Sequence, residues 1–206
     1  TLGAFAAALA VIVVPFALIA PEGLADSVER QLGRPLQIES LGASLLLAAK
    51  QLGLYDPVVV SSHGSQNLDG SLPDALAGGQ TVLQAAGLIA VWILFARGPA
   101  PPERLVAACA ASVVVFVAFG KVLSPQFLIW LVPVALLLGG AIGVAAGVLF
   151  GALLVTTQLW FPSRYWDLVD LQPVGWLALV RNGLLVALAV VLVVAMERAR
   201  GQPRSA

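Results

Sequence analysis

Gly120-Lys121-Val122-Leu123-Ser124-Pro125-Gln126 is a short polar break between two apolar runs, 105–119 and 127–138. A lysine, a serine and a glutamine stand where one hydrophobic helix ends and the next begins. Pro125 cannot donate a backbone hydrogen bond, and it pushes Ser124 away from helical geometry. The chain is therefore expected to turn or unwind here, at the edge of a membrane or just inside it. Irregular backbone at that depth survives only when it is buried in protein or lines a wet cavity. One wall of a site is expected at this turn.

The composition sets the surroundings of that turn. Hydrophobic residues make up 60% of the chain and charged residues 11%, with a mean hydropathy of +0.96. Soluble domains carry about 25% charged residues, so the chain reads as an integral membrane protein. The formal net charge is zero, and bulk charge points to no nucleic-acid partner. Cys109 is the single cysteine and His63 the single histidine, which rules out an internal disulfide and any multi-histidine metal centre. No metal or cofactor is expected. The chain starts at Thr1 without a basic n-region or a small-residue cleavage site, so the first run is not read as a signal peptide. A piece of a longer protein is expected.

Working outward, 2–20 is apolar for about 20 residues, enough to cross a ~30 Å core. In 24–40, Leu24, Val28, Gln31 and Leu32 recur at helical spacing, with Asp26, Glu29 and Arg30 on other faces. That pattern suggests a short amphipathic helix on the membrane surface. The run 41–54 is apolar for about 14 residues, roughly 21 Å as a helix, and too short to span comfortably. It is expected to be re-entrant or tilted. The stretch 55–79 reads as a hairpin or ordered loop, with a strand at Val58-Val59-Val60 and turns at His63-Gly64 and Asp69-Gly70. Spanning helices are expected at 81–96, 105–119 and 177–196. The run 127–162 is about 36 apolar residues, long enough for two crossings broken at Gly139-Gly140. Gly143, Gly147 and Gly151 form a small-residue series suited to close helix packing. Trp160, Phe161, Tyr165, Trp166 and Trp176 read as an interfacial aromatic belt. The whole of 1–206 is read as one all-α transmembrane domain, with 21–79 an extracytoplasmic segment that carries the short helix 41–54 and a small loop or hairpin.

Arg97 and Arg104 lie in a short connector, and Arg198, Arg200 and Arg204 in the tail. Short-loop arginines favour the cytoplasmic side, and counting crossings puts both groups there. The polar clusters at 21–79, 121–126 and 163–175 then share the extracytoplasmic face. That arrangement suits a site open sideways to lipid.

Two stretches, Arg34-Pro35-Leu36-Gln37-Ile38-Glu39-Ser40 and Gly120-Lys121-Val122-Leu123-Ser124-Pro125-Gln126-Phe127-Leu128-Ile129-Trp130-Leu131, resemble the later half of glycosyltransferase family 87. His63-Gly64-Ser65-Gln66-Asn67-Leu68 and Arg181-Asn182 are similar to it as well, in the same order along the chain. The Lys-x-x-Ser-Pro-Gln block is the most specific of these. The resemblance implies a GT-C transmembrane helix bundle. It also implies inverting transfer of a hexose, as in actinobacterial mannosyltransferases, from a polyprenyl-phosphate-linked sugar to a lipid or glycan acceptor. The catalytic aspartate it implies belongs to an early extracytoplasmic loop outside this sequence, so the base is unassigned and the fragment alone is expected to be inactive.

Each candidate has a plainer reading beside the functional one. Lys121 is placed to meet a lipid phosphate, or to snorkel from a helix end. Ser124 and Gln126 add hydrogen-bonding groups beside it, or shape the turn. Arg34, Gln37 and Glu39 suit phosphate and sugar hydroxyls, or an ion pair and a helix start. His63 is a proton acceptor or a solvated loop residue. Arg181, inside an apolar span, is a ligand contact, or it snorkels or pairs with Asp167 or Asp170. The competing function is a transporter or lipid flippase with Lys121, Arg181 and Glu39 along its path. Such proteins show internal repeats, and none is visible here.

Overall fold

The computed structural model describes residues 2–133 and 137–200. The chain divides into two compact units at Arg34 and Pro35. The first unit holds α1 (Leu2–Ile19) and α2 (Pro21–Leu32). They meet at a bend of 115°, because Pro21 lacks the amide that would continue the ladder and starts a new helix instead. Pro15 lies inside α1. α2 is amphipathic as the spacing predicts, with Leu24, Ala25, Val28 and Leu32 lining the inside of the bend.

The second unit contains β1 (Leu36–Gln37), α3 (Leu41–Gln51), β2 (Val58–Ser62), β3 (Ser65–Asp69), α4 (Ser71–Ala96), α5 (Pro102–Phe119), a 3-10 helix (Pro125–Leu131), α6 (Gly140–Gln158), α7 (Tyr165–Val169) and α8 (Gly175–Ala199). α4, α5, α6 and α8 are each long and apolar enough to cross a membrane, so this is a mostly helical, multi-pass membrane protein. α8 is the central post and packs against α5, α6 and α3. Ala107, Ala111, Val114, Leu185, Leu188 and Leu192 lie in the core where these helices meet. α3 is short, as expected, and lies on α8. A Cβ on Gly175 would come within 3.0 Å of the Leu47 Cβ, so glycine permits that approach.

Several expectations need correction. The hairpin at 58–69 forms, but β1 joins it, giving an antiparallel sheet in the order β1-β3-β2 with Leu36 opposite Leu68 and Gln37 opposite Asn67. A two-residue strand carries no periodicity to detect. α4 begins at Ser71, not 81; Gly78 and Gly79 sit inside it with nothing within 4 Å of an added Cβ, so their punctuation value is overridden by the helix around them. The run 127–138 opens as the 3-10 helix rather than a spanning α-helix; residues 134–136 lie outside the described residues. The break at Gly139-Gly140 is present, with Gly140 at a φ of +64°. Among the described residues, Gly147 and Gly151 have no atom within 4 Å of an added Cβ, so within this chain they meet no neighbouring helix. α6 turns Ala146, Phe150, Leu153 and Thr157 inward instead. Trp160 is fully buried and leaves the aromatic belt, while Trp166 and Trp176 stay exposed.

Candidate functional site

The polar segments of the second unit gather at one end of its bundle. α5 stops at Phe119, Gly120 is extended, and Ser124 is extended before Pro125 with no side-chain cap bond. This is the geometry that proline imposes on the residue before it. The turn between them is held from two sides. From β1, the Gln37 amide N–H donates to the Lys121 carbonyl at 3.0 Å, and Gln37 Oε1 accepts the Leu123 N–H at 2.8 Å. From α4, Gln80 Nε2 donates to the Gly120 carbonyl at 3.0 Å. Lys121 and Ser124 are half-buried and Gln126 is exposed.

Behind the turn lies a closed polar knot. Gln37 Nε2 donates to Glu39 Oε2 at 3.2 Å. Arg181 Nη2 and Asn182 Nδ2, from the second turn of α8, donate to the Glu39 carbonyl at 2.6 and 3.2 Å. Asn182 Nδ2 also reaches Ser44 Oγ at 3.0 Å. The Arg181 guanidinium lies 5.6 Å from the ring centre of Trp160. Ser40 caps α3 by accepting the Ala43 N–H. Gln37, Glu39, Ser40, Arg181 and Asn182 are all buried. Glu39 Oε1, Arg181 Nε and Nη1, Asn182 Oδ1 and Trp160 Nε1 are buried atoms without a hydrogen-bond partner among the described residues. Such atoms are few in folded proteins.

The electrostatics follow from burial. Loss of solvent raises the Glu39 carboxyl from 4.5 to about 7, opposed by the positive charge of Arg181. Burial raises the Tyr165 phenol to about 12, helped by the nearby Glu39 charge. Around neutral pH, Glu39 is thus poised between its two forms and Tyr165 keeps its proton.

Beside the turn, a groove of about 280 Å³ runs between the 3-10 helix and α6, lined by Gln126, Ile129, Leu154, Thr157, Gln158 and Phe161. The 3-10 helix packs on α5 and α6 packs on α8, which leaves this gap between them.

The remaining candidates sit elsewhere. His63 is exposed at the hairpin tip, where His63 and Gly64 both take positive φ, 53° and 71°. That is a type I′ turn, which explains a glycine there without any ligand. Arg34 is the last residue of the first unit. Arg164, not Arg181, pairs with Asp167, at 2.9 Å. The chain thus brings Gln37, Glu39 and Arg181 together with the Lys121 backbone. Gln80, Gln84 and Trp160 were invisible as site residues. Gln80 and Gln84 stand one helical turn apart in an apolar run, a signal hidden when the helix is taken to start at residue 81. Among the described residues, no three histidine, cysteine or carboxylate side chains group as metal ligands do. Comparison of the chain with protein-family models, with curated proteins and with solved structures finds no match.

Proposed function

We propose that this chain is the membrane-embedded part of a glycosyltransferase. It would move a hexose, mannose by the resemblance, from a polyprenyl-phosphate donor to a lipid or glycan acceptor at the extracytoplasmic end of the helices. The observation that supports the reading most is the convergence of three distant stretches. The Lys121 turn, the Gln37–Ser40 segment and Arg181-Asn182 meet at one end of the spanning helices. They are the stretches that carry the family resemblance.

In this reading the Lys121 ammonium faces the donor phosphate at the membrane edge, where a compact cation is most effective. The acceptor hydroxyl attacks the anomeric carbon and the bond from that carbon to the phosphate oxygen breaks. Polyprenyl phosphate leaves, and Lys121 stabilises the charge that collects on it. Ser124 and Gln126 supply hydrogen bonds at the mouth of the groove. Gln37, Glu39 and Arg181 are too enclosed to touch a sugar, and their part is to hold the turn. His63 stays a candidate for donor contact. The acceptor's proton goes to a base outside the residues assigned here.

The test uses the protein at its full natural length, reconstituted with a radiolabelled polyprenyl-phosphate mannose and a membrane-lipid acceptor extract. Lys121→Ala is expected to lower transfer about 100-fold, the scale for removing one charge-stabilising donor. Absence of transfer with mannose and every other lipid-phosphate sugar would sink this reading in favour of the transporter.

A further inference from the structure

Gln80 projects from α4 into the space between α3 and the end of α5, and is buried. Its Oε1 accepts the Gly42 N–H at 2.7 Å. Its Nε2 donates to the Gly120 carbonyl at 3.0 Å and to that of Phe119 at 3.4 Å. Both partners are groups that helices leave unsatisfied: an amide in the first turn of α3 and carbonyls at the end of α5. Serving both takes a side chain that carries a donor and an acceptor, which excludes carboxylates, lysine and arginine.

The surroundings are shaped to this amide. A Cβ on Gly42 would stand 2.5 Å from Gln80 Oε1, so glycine is required for the contact. One turn along α4, Gln84 Nε2 donates to the Phe116 carbonyl at 2.6 Å, and a Cβ on Gly120 would lie 3.2 Å from it.

These bonds have a particular address. The Gly120 carbonyl belongs to the peptide that enters Lys121, and the Lys121 carbonyl, held by the Gln37 N–H, belongs to the peptide that leaves it. Both peptides flanking the lysine are therefore pinned, one from α4 and one from β1. A lysine that merely snorkels needs no such anchorage, because its long side chain finds water from many backbone positions. We propose that Gln80 is a positioning residue. Its amide locks the peptide before Lys121 to the first turn of α3, so that the ammonium is presented at one place at the membrane edge. Its catalytic consequence rests on the glycosyltransferase reading; the mechanical tie does not.

Two measurements separate the parts. In the full-length reconstituted enzyme, Gln80→Met and Gly42→Ala, which attack the tie from opposite ends, should each lower transfer about tenfold. Misplacement of a reacting group by about 1 Å costs up to 100-fold. In a Lys121→Ala background the same substitutions should have almost no further effect, since they act through the lysine. Equal losses in both backgrounds would mean general destabilisation and overturn the proposal.

The second measurement needs no activity. In a Cys109→Ser protein carrying Val122→Cys, maleimide labelling should speed up at least fivefold on Gln80→Met or Gly42→Ala. A reporter cysteine at Asp170 should react at an unchanged rate in the same variants. An unchanged rate at position 122 sinks the tie even if transfer is robust. Faster labelling alongside a wild type that transfers no sugar would keep the tie and discard the enzymatic reading.

Discussion

Glu39 is where one residue's placement has a consequence for the whole protein. Burial lifts its carboxyl to about 7 in the folded state, against an ordinary value of 4.5. The folded protein therefore binds this proton more tightly than the unfolded chain does. Glu39's contribution to stability is complete below about pH 4.5, declines as pH rises, and is lost above about 7. At about 1.4 kcal/mol per pH unit, the decline is roughly 3 kcal/mol. Glu39→Gln keeps an acceptor for Gln37 and removes the titration. We expect the variant's melting temperature in detergent to be flatter than the wild type's between pH 5 and pH 8, and higher at pH 8. A variant with the same slope would show that Glu39 is not the titrating group. Little of this was legible in the sequence. Glu39 before an apolar helix reads as a first-turn acid, and its burial is decided by distant segments, with Arg181 and Asn182 of α8 reaching its backbone carbonyl.

At the scale of elements, the connector between α4 and α5 shows how an apolar helix is ended. Arg104 is fully buried, and its guanidinium donates to the carbonyls of Leu94 at 2.7 Å, Phe95 at 2.9 Å and Pro99 at 2.6 Å. It also lies 5.0 Å from the Phe95 ring centre and 3.7 Å from Glu197 on α8. It satisfies the Phe95 carbonyl in the last turn of α4 and adds a second donor to that of Leu94, which also accepts the Arg97 N–H. Arg104→Met should cost about 3 kcal/mol, the scale for stranding buried polar groups, read as earlier thermal unfolding in detergent. Arg97→Met, whose side chain bonds none of these carbonyls, should change it by less than about 0.5 kcal/mol. Equal effects would refute the capping role. The sequence marked this connector well, through Pro99, Pro101 and Pro102, and placed the end of α4 correctly at Ala96. It failed at the other end, where the exposed Gly78-Gly79 lies in a helix anchored by the buried Ala77 and Gln80 on either side. It failed again at Pro125–Leu131, whose apolar composition does not distinguish a 3-10 helix from an α-helix.

Across the second unit as a whole, the two ends of the bundle differ in chemistry. Arg200 Nη2 donates to the Arg97 carbonyl at 2.9 Å, so the connector and the tail meet at one end. At the other, Gln51 Nε2 donates to the Leu171 carbonyl at 2.8 Å and Lys121 meets Gln37. Cysteines placed singly at His63, Asp170 and Gly98 in a Cys109→Ser background should divide accordingly in sealed spheroplasts. A membrane-impermeant maleimide should label positions 63 and 170 and spare 98. Labelling of 98 with 63 and 170 spared would invert the orientation and remove the extracytoplasmic site. Labelling that split 63 from 170 would break the single polar end itself. By itself the sequence determined the membrane class, the helices α5, α6 and α8 and the end of α4, the short α3, the polar break and the parity that puts connector and tail together. These follow from hydropathy and chain punctuation, which are local properties. Only the tertiary structure decided which polar groups meet. The Gln80 tie spans 38 residues to Gly42, and Arg181 reaches Glu39 across 142. No local pattern encodes such pairings, because they depend on how the helices pack after the hydrophobic pattern has already been satisfied.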